Sequence, residues 1–115
     1  MTKYTSDLSA LFLALGDPTR RAMLERLARG PATVSELAGP VPSALPTVLA
    51  HLRKLEAAGL VNSRKDGRVR TCALVPQALA PAQDWLAAQR AEWEGRLDRL
   101  DAYVQSLAQE RPDDP

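Results

Sequence analysis

Two clusters of side chains in the middle of the chain carry polar chemistry at close spacing. Ser43, Thr47, His51 and Lys54 recur every three or four residues, and Arg64, Lys65, Arg68 and Arg70 crowd into seven consecutive positions. The first set lines one face of a helix. The second offers positive charge with many N–H donors. Such groups donate to phosphate oxygens and to base edges. Pro46 and Ala50 lie beside the first stripe and are small enough for apolar contact with a thymine methyl. Neither set makes an active site. No nucleophile–base pair, carboxylate pair or phosphate loop is evident, and the single histidine and single cysteine fall on separate elements. No enzyme is expected.

Composition supports that reading. The net charge of +1 conceals a segregation. Residues 43–70 hold six basic side chains against two acidic, while residues 71–115 hold four basic against eight acidic. A basic surface on an otherwise balanced chain suits a polyanion. One cysteine, Cys72, excludes an internal disulfide and a multi-cysteine metal site. Zinc needs about four ligands, mostly nitrogen and sulfur, so neither metal nor other cofactor is expected. Nothing approaches the roughly 18 apolar residues of a membrane span. Asp7 and Ser9 interrupt any signal-peptide layout, and a cytoplasmic protein with no membrane partner is expected.

The elements that must position these residues can be read from periodicity and caps. Leu8, Leu11, Phe12 and Leu15 place a helix at about 7–15, ended by Gly16. Asp17-Pro18 opens a second helix to about Arg29, with Gly30-Pro31 as its stop. Arg20 and Arg21, beside Asp17, suit a structural ion pair or cap as well as a DNA contact, and are left out of the interface. Ser35 is expected to cap a short third helix, Glu36 to Ala38. A fourth helix starts near Ser43 or Ala44, since Pro46 is tolerated only in a first turn. Its stripe of Leu45, Val48, Leu52 and Leu55 faces the core, and Gly59 ends it. Leu60 to Lys65 and Arg68 to Leu74 alternate as two strands joined by Asp66-Gly67, with positive φ expected at both turn positions. A helix-turn-helix followed by a basic β-wing results, which places one helix in the major groove.

A long helix then runs from about 82 to 109. Leu86, Trp93, Leu97, Leu100, Val104 and Leu107 follow one another at intervals of 7, 4, 3, 4 and 3, a heptad-like seam interrupted by Arg90. Gly95 weakens its interior. The whole is read as one domain, 1–110, mainly α with a small β-hairpin wing. DNA-reading residues lie at about 32–75, and RPDDP at 111–115 is expected to be a disordered tail.

Two stretches together resemble a known family. LGDPTRRAMLERL, Leu15 to Leu27, resembles the second helix of ArsR/SmtB-type winged-helix repressors, and PSALPTVLAHLRKLEAAGLV, Pro42 to Val61, resembles their DNA-reading region. The likeness continues through GRVRTCALVPQAL and into DWLAAQRAEWEGRLDRLDAYV, in the manner of a branch lacking metal-ligand cysteines. The resemblance implies a homodimer joined through its first and last helices, bound to an inverted-repeat operator in double-stranded DNA. It also implies repression, often of the protein's own operon, and release by an inducer. Three positions depart from the family: Leu49 replaces a DNA-facing serine, Ala44 a small polar cap (a job Ser43 could take over) and Cys72 a wing tyrosine.

The interface with DNA is therefore expected at Ser43, Pro46, Thr47, Ala50, His51, Lys54, Arg64, Lys65, Arg68 and Arg70. The dimer interface is expected at Leu8, Leu11, Phe12, Trp85, Leu86, Trp93, Leu97, Leu100 and Val104. Two rival functions stand beside this one. A winged helix can bind protein instead, though such modules usually lose the basic wing. Cys72 could act as a redox switch, with Arg70 two residues away on the same strand face, though a lone buried cysteine is usually a small hydrophobe.

Overall fold

Asp17 opens the second helix as its sequence dictates. The Asp17 carboxylate accepts from the Arg20 N–H at 3.0 Å, and Pro18 takes the first helical position. The computed structural model describes residues 2–39 and 44–110. The elements are α1 (Thr2–Leu15), α2 (Pro18–Ala28), β1 (Ala32–Thr33), α3 (Val34–Ala38), α4 (Leu45–Ala57), β2 (Val61–Asp66), β3 (Val69–Leu74), a short 3-10 helix (Pro76–Leu79) and α5 (Ala80–Glu110). The chain divides into two compact units, Met1–Ala82 and Gln83–Pro115.

The first unit is a winged helix-turn-helix. Its core gathers one face of each helix: Leu11 and Ala14 from α1, Met23 and Leu27 from α2, Leu37 from α3, and Val48, Leu52 and Leu55 from α4. Ala32, Val61 and Cys72 close it from the sheet, Leu60 from just ahead of β2, and Ala82 joins it from the start of α5. The sheet has the order β1-β3-β2, antiparallel throughout. Cys72 sits at its centre, opposite both Ala32 and Ser63.

Several local expectations are corrected. α3 is capped by Thr33, not Ser35, which lies inside the helix. Thr33-Val34-Ser35-Glu36 is a reciprocal capping box: the Thr33 hydroxyl accepts from the Glu36 N–H at 3.2 Å, and the Glu36 carboxylate accepts from the Thr33 N–H at 2.8 Å. The same Thr33 belongs to β1, a two-residue strand too short to show any periodicity. Leu45 is half-exposed rather than part of the core stripe, because it lies in the first turn of α4, ahead of the packed Val48. α4 ends as expected at Gly59. The Leu60 N–H returns to the Leu55 carbonyl at 3.0 Å and the Gly59 N–H to Glu56 at 2.9 Å, with Gly59 at φ 77°.

The wing turn differs too. Asp66 pairs with Val69, so the two central residues are Gly67 and Arg68. Only Gly67 has positive φ, at 63°. A hairpin with glycine at the first central position and a following residue at negative φ has the signature of a type II′ turn, not the mirrored type I turn that Asp66-Gly67 would form.

In the second unit the described residues continue α5 as an exposed helix. Arg90 pairs with Glu94 at 2.9 Å along one side. Leu86, Trp93, Leu97, Leu100, Val104 and Leu107 keep about half of their surface in solvent. No helix among the described residues is long and apolar enough to cross a membrane.

Candidate nucleic-acid interface

α4 presents Pro46, Thr47, Ala50 and Lys54 to solvent. Those positions share a face because the opposite one is buried through Val48, Leu52 and Leu55. Arg53 lies on that outward face as well, three residues from Ala50 and seven from Pro46, and is exposed. The same helical spacing would have identified it. Ala44 precedes the helix with no side-chain cap, so the first-turn N–H groups of α4 receive nothing from it. Ser43 falls outside the described residues.

His51 departs from the simple outward stripe. Its ring lies at the boundary of the packed face, with the side chain only 18% exposed. Arg20 Nη1 approaches its Nδ1 at 3.1 Å, and Asp17 Oδ2 stands 3.9 Å away. Arg20 is itself buried: Nε donates to the Ala14 carbonyl and Nη2 to the Leu13 carbonyl, both at 2.8 Å. Arg21 Nη1 donates to the Leu15 carbonyl at 2.7 Å. The two arginines thus cap the end of α1, which explains a DPTRR run better than a DNA contact does. The Arg20 N–H holds the Asp17 carboxyl below its ordinary value against the opposing effect of burial, and the positive charges of a protonated His51 and of the Arg20 guanidinium add to the lowering.

On the wing, Arg64, Lys65 and Arg68 are exposed. Arg70 is exposed but engaged. It donates to Ser63 Oγ at 2.8 Å, and Ser63 Oγ donates to the Glu56 carboxylate at 3.0 Å. That chain ties both wing strands to the last turn of α4. Cys72 beneath it is fully buried. Burial pushes its thiol up, and the Glu56 charge adds to the rise against the opposing Arg70. A buried thiol held protonated is a poor redox switch.

Leu11, expected at the dimer interface, belongs to the protomer's own core at 2% exposure and is not available to a partner. Leu8 and Phe12 are partly exposed, while Trp85, Leu86, Trp93, Leu97, Leu100 and Val104 are exposed. Among the described residues no three histidine, cysteine or carboxylate side chains come together as metal ligands would.

Residues 15–64 match the family described as a helix-turn-helix domain. Over 67 residues the chain is 49% identical to the HTH-type transcriptional regulator Rv2034 of Mycobacterium tuberculosis, a match covering 58% of this chain and 63% of that protein. It therefore spans a little under two thirds of that relative's length. The crystal structure of the ArsR family transcriptional regulator RHA00566 superposes with a TM-score of 0.76 at 50% identity, over 78% of this chain and 93% of that one. The solution structure of the homodimeric winged helix-turn-helix DNA-binding domain Mb0332 from Mycobacterium bovis shares the fold, with a TM-score of 0.63 at 24% identity over 78% and 85% of the two chains.

Proposed function

The chain belongs to the ArsR family of winged helix-turn-helix transcriptional regulators, and from that premise we propose that it is a dimeric repressor reading an inverted repeat in duplex DNA. The observation that carries this is the coincidence of charge and exposure. Lys54, Arg53, Arg64, Lys65 and Arg68 are all exposed on α4 and the wing that follows it. α4 enters the major groove, where Pro46, Thr47, Ala50 and His51 meet base edges, with Ser43 ahead of them in the chain. The wing arginines and Lys65 meet phosphates and set affinity more than sequence choice. Arg70 braces the wing through Ser63 before it meets any phosphate.

Two copies are needed to read a repeat. The half-exposed row on α5 supplies an apolar surface for a second copy, and on α1 Leu8 and Phe12 are partly exposed as well. Mb0332, with the same fold, is described as homodimeric. The protein acts without a metal cofactor, in the cytoplasm, and represses its own gene.

The test is binding to the protein's own promoter fragment against a scrambled one, across a salt series, with and without EDTA. Selective binding that survives EDTA is expected. If each protomer places about four cations on phosphates, the dimer's log–log slope of affinity against salt is about −7. Equal, salt-insensitive binding to both fragments would instead favour a protein-binding winged helix.

A further inference from the structure

Among the described residues Arg20 is the one charged side chain buried in the core, and it reaches from α2 to the DNA-facing helix. Two of its three nitrogens, Nη2 and Nε, donate to the Leu13 and Ala14 carbonyls. The third, Nη1, stands 3.1 Å from His51 Nδ1. A guanidinium has donors only and does not lose its proton in a protein. Nδ1 must therefore accept. An imidazole accepting at one nitrogen carries its proton on the other, here Nε2. Asp17 does not compete for a proton on Nδ1: its Oδ2 lies 3.9 Å away, beyond hydrogen-bond range, and already accepts from the Arg20 N–H.

We propose that Arg20 is a positioning residue that fixes His51 as a neutral, Nε2-protonated donor to an acceptor on DNA. The inference rests on the role of α4 proposed above and adds a polarity to it. A ring held this way donates to a phosphate oxygen or to purine N7, guanine O6 or thymine O4. It cannot accept from the amino group of adenine or cytosine. The discrimination resides in a buried residue that never touches DNA.

The test begins with nitrogen chemical shifts of the full chain, in which the only imidazole is that of His51. A protonated Nε2 and an unprotonated Nδ1 are expected, and a dominant Nδ1–H form overturns the proposal without any variant. Two substitutions then separate the ring's halves. In His51→Asn the short amide oxygen can still accept from Arg20, but no donor reaches the Nε2 position. In His51→Gln an amide N–H reaches that position. His51→Asn is expected to keep its melting temperature and lose about tenfold in affinity per half-site, and His51→Gln to lose clearly less. Equal loss in both overturns the proposal. Arg20→Lys keeps the charge without the fork, and is expected to let the ring populate both tautomers while helix content holds. A ring unchanged in that folded variant also overturns it. Loss on the promoter and scrambled fragments alike identifies a phosphate acceptor, and loss on the promoter alone a base edge. If the wild type shows no preference for its promoter, the DNA reading falls with this proposal. If it does prefer it and the two His51 variants behave alike, only this proposal falls.

Discussion

Asp17 shows how much one side chain can hold. It caps α2 and stands within 4 Å of the His51 ring, at the junction of three helices. Its carboxyl is held below its ordinary value of 3.8 by the Arg20 N–H. A carboxyl depressed in the folded state contributes stability above its ordinary value, and that contribution is lost as pH falls towards the lowered folded value. The melting temperature of Asp17→Asn should therefore lie below that of the wild type at neutral pH, and the two should converge as acid protonates Asp17. A gap that persists unchanged down the acid range would mean that the cap works without its charge. Arg68 offers the complementary case. It is exposed at the wing turn. Arg68→Ala should weaken binding to all DNA sequences about equally and lower the salt slope by about 2 for the dimer, one per protomer. A change confined to one base-pair position in a mutated-operator series would reassign it to base reading.

The helices were legible in the sequence wherever a cap and a period agreed. Asp17-Pro18, Pro46 and Gly59 fixed the ends of α2 and α4 because proline and glycine act locally. Elements that exist through tertiary pairing were not legible. β1 is two residues long and has meaning only against β3. Its Thr33 caps α3 in preference to Ser35, although the Thr33–Glu36 spacing carried the signal. The turn at the wing slipped by one residue, since Asp66-Gly67 and Gly67-Arg68 both suit a two-residue loop and the pairing of Asp66 with Val69 decides between them. Leu11 shows the same limit: helical spacing puts it on an apolar face but does not say whether the core or a second copy covers that face. The inward turn of His51 towards Arg20 is a contact across 31 residues, beyond any local pattern. Gly67 offers a test of the wing turn. Its φ of 63° is strained for any L side chain even though a Cβ there meets nothing within 4 Å. Gly67→Ala should cost about 1–2 kcal/mol by denaturant unfolding. A neutral result would show that the wing turn relaxes to another type.

Along the whole chain, charge is segregated. Residues 43–70 carry a net +4 from six basic and two acidic side chains, and residues 71–115 a net −4 from four and eight. The positive charge of the first of these segments is what a polyanion would favour, and α5 within the second carries the exposed apolar row. A lysine at Leu97 or Leu100 should shift the protein from dimer towards monomer in sedimentation velocity and lower operator affinity through lost avidity. A dimer untouched by both would place the interface elsewhere. The burial of Cys72 has a practical consequence. The chain's only thiol sits at the middle of the three-stranded sheet, where β1, β2 and β3 meet. An alkylating reagent can reach it only when the winged unit opens, so the labelling rate is a single-site clock for that opening. Slowing of the clock when DNA is added would convert operator binding into a measured free energy with no label on the DNA.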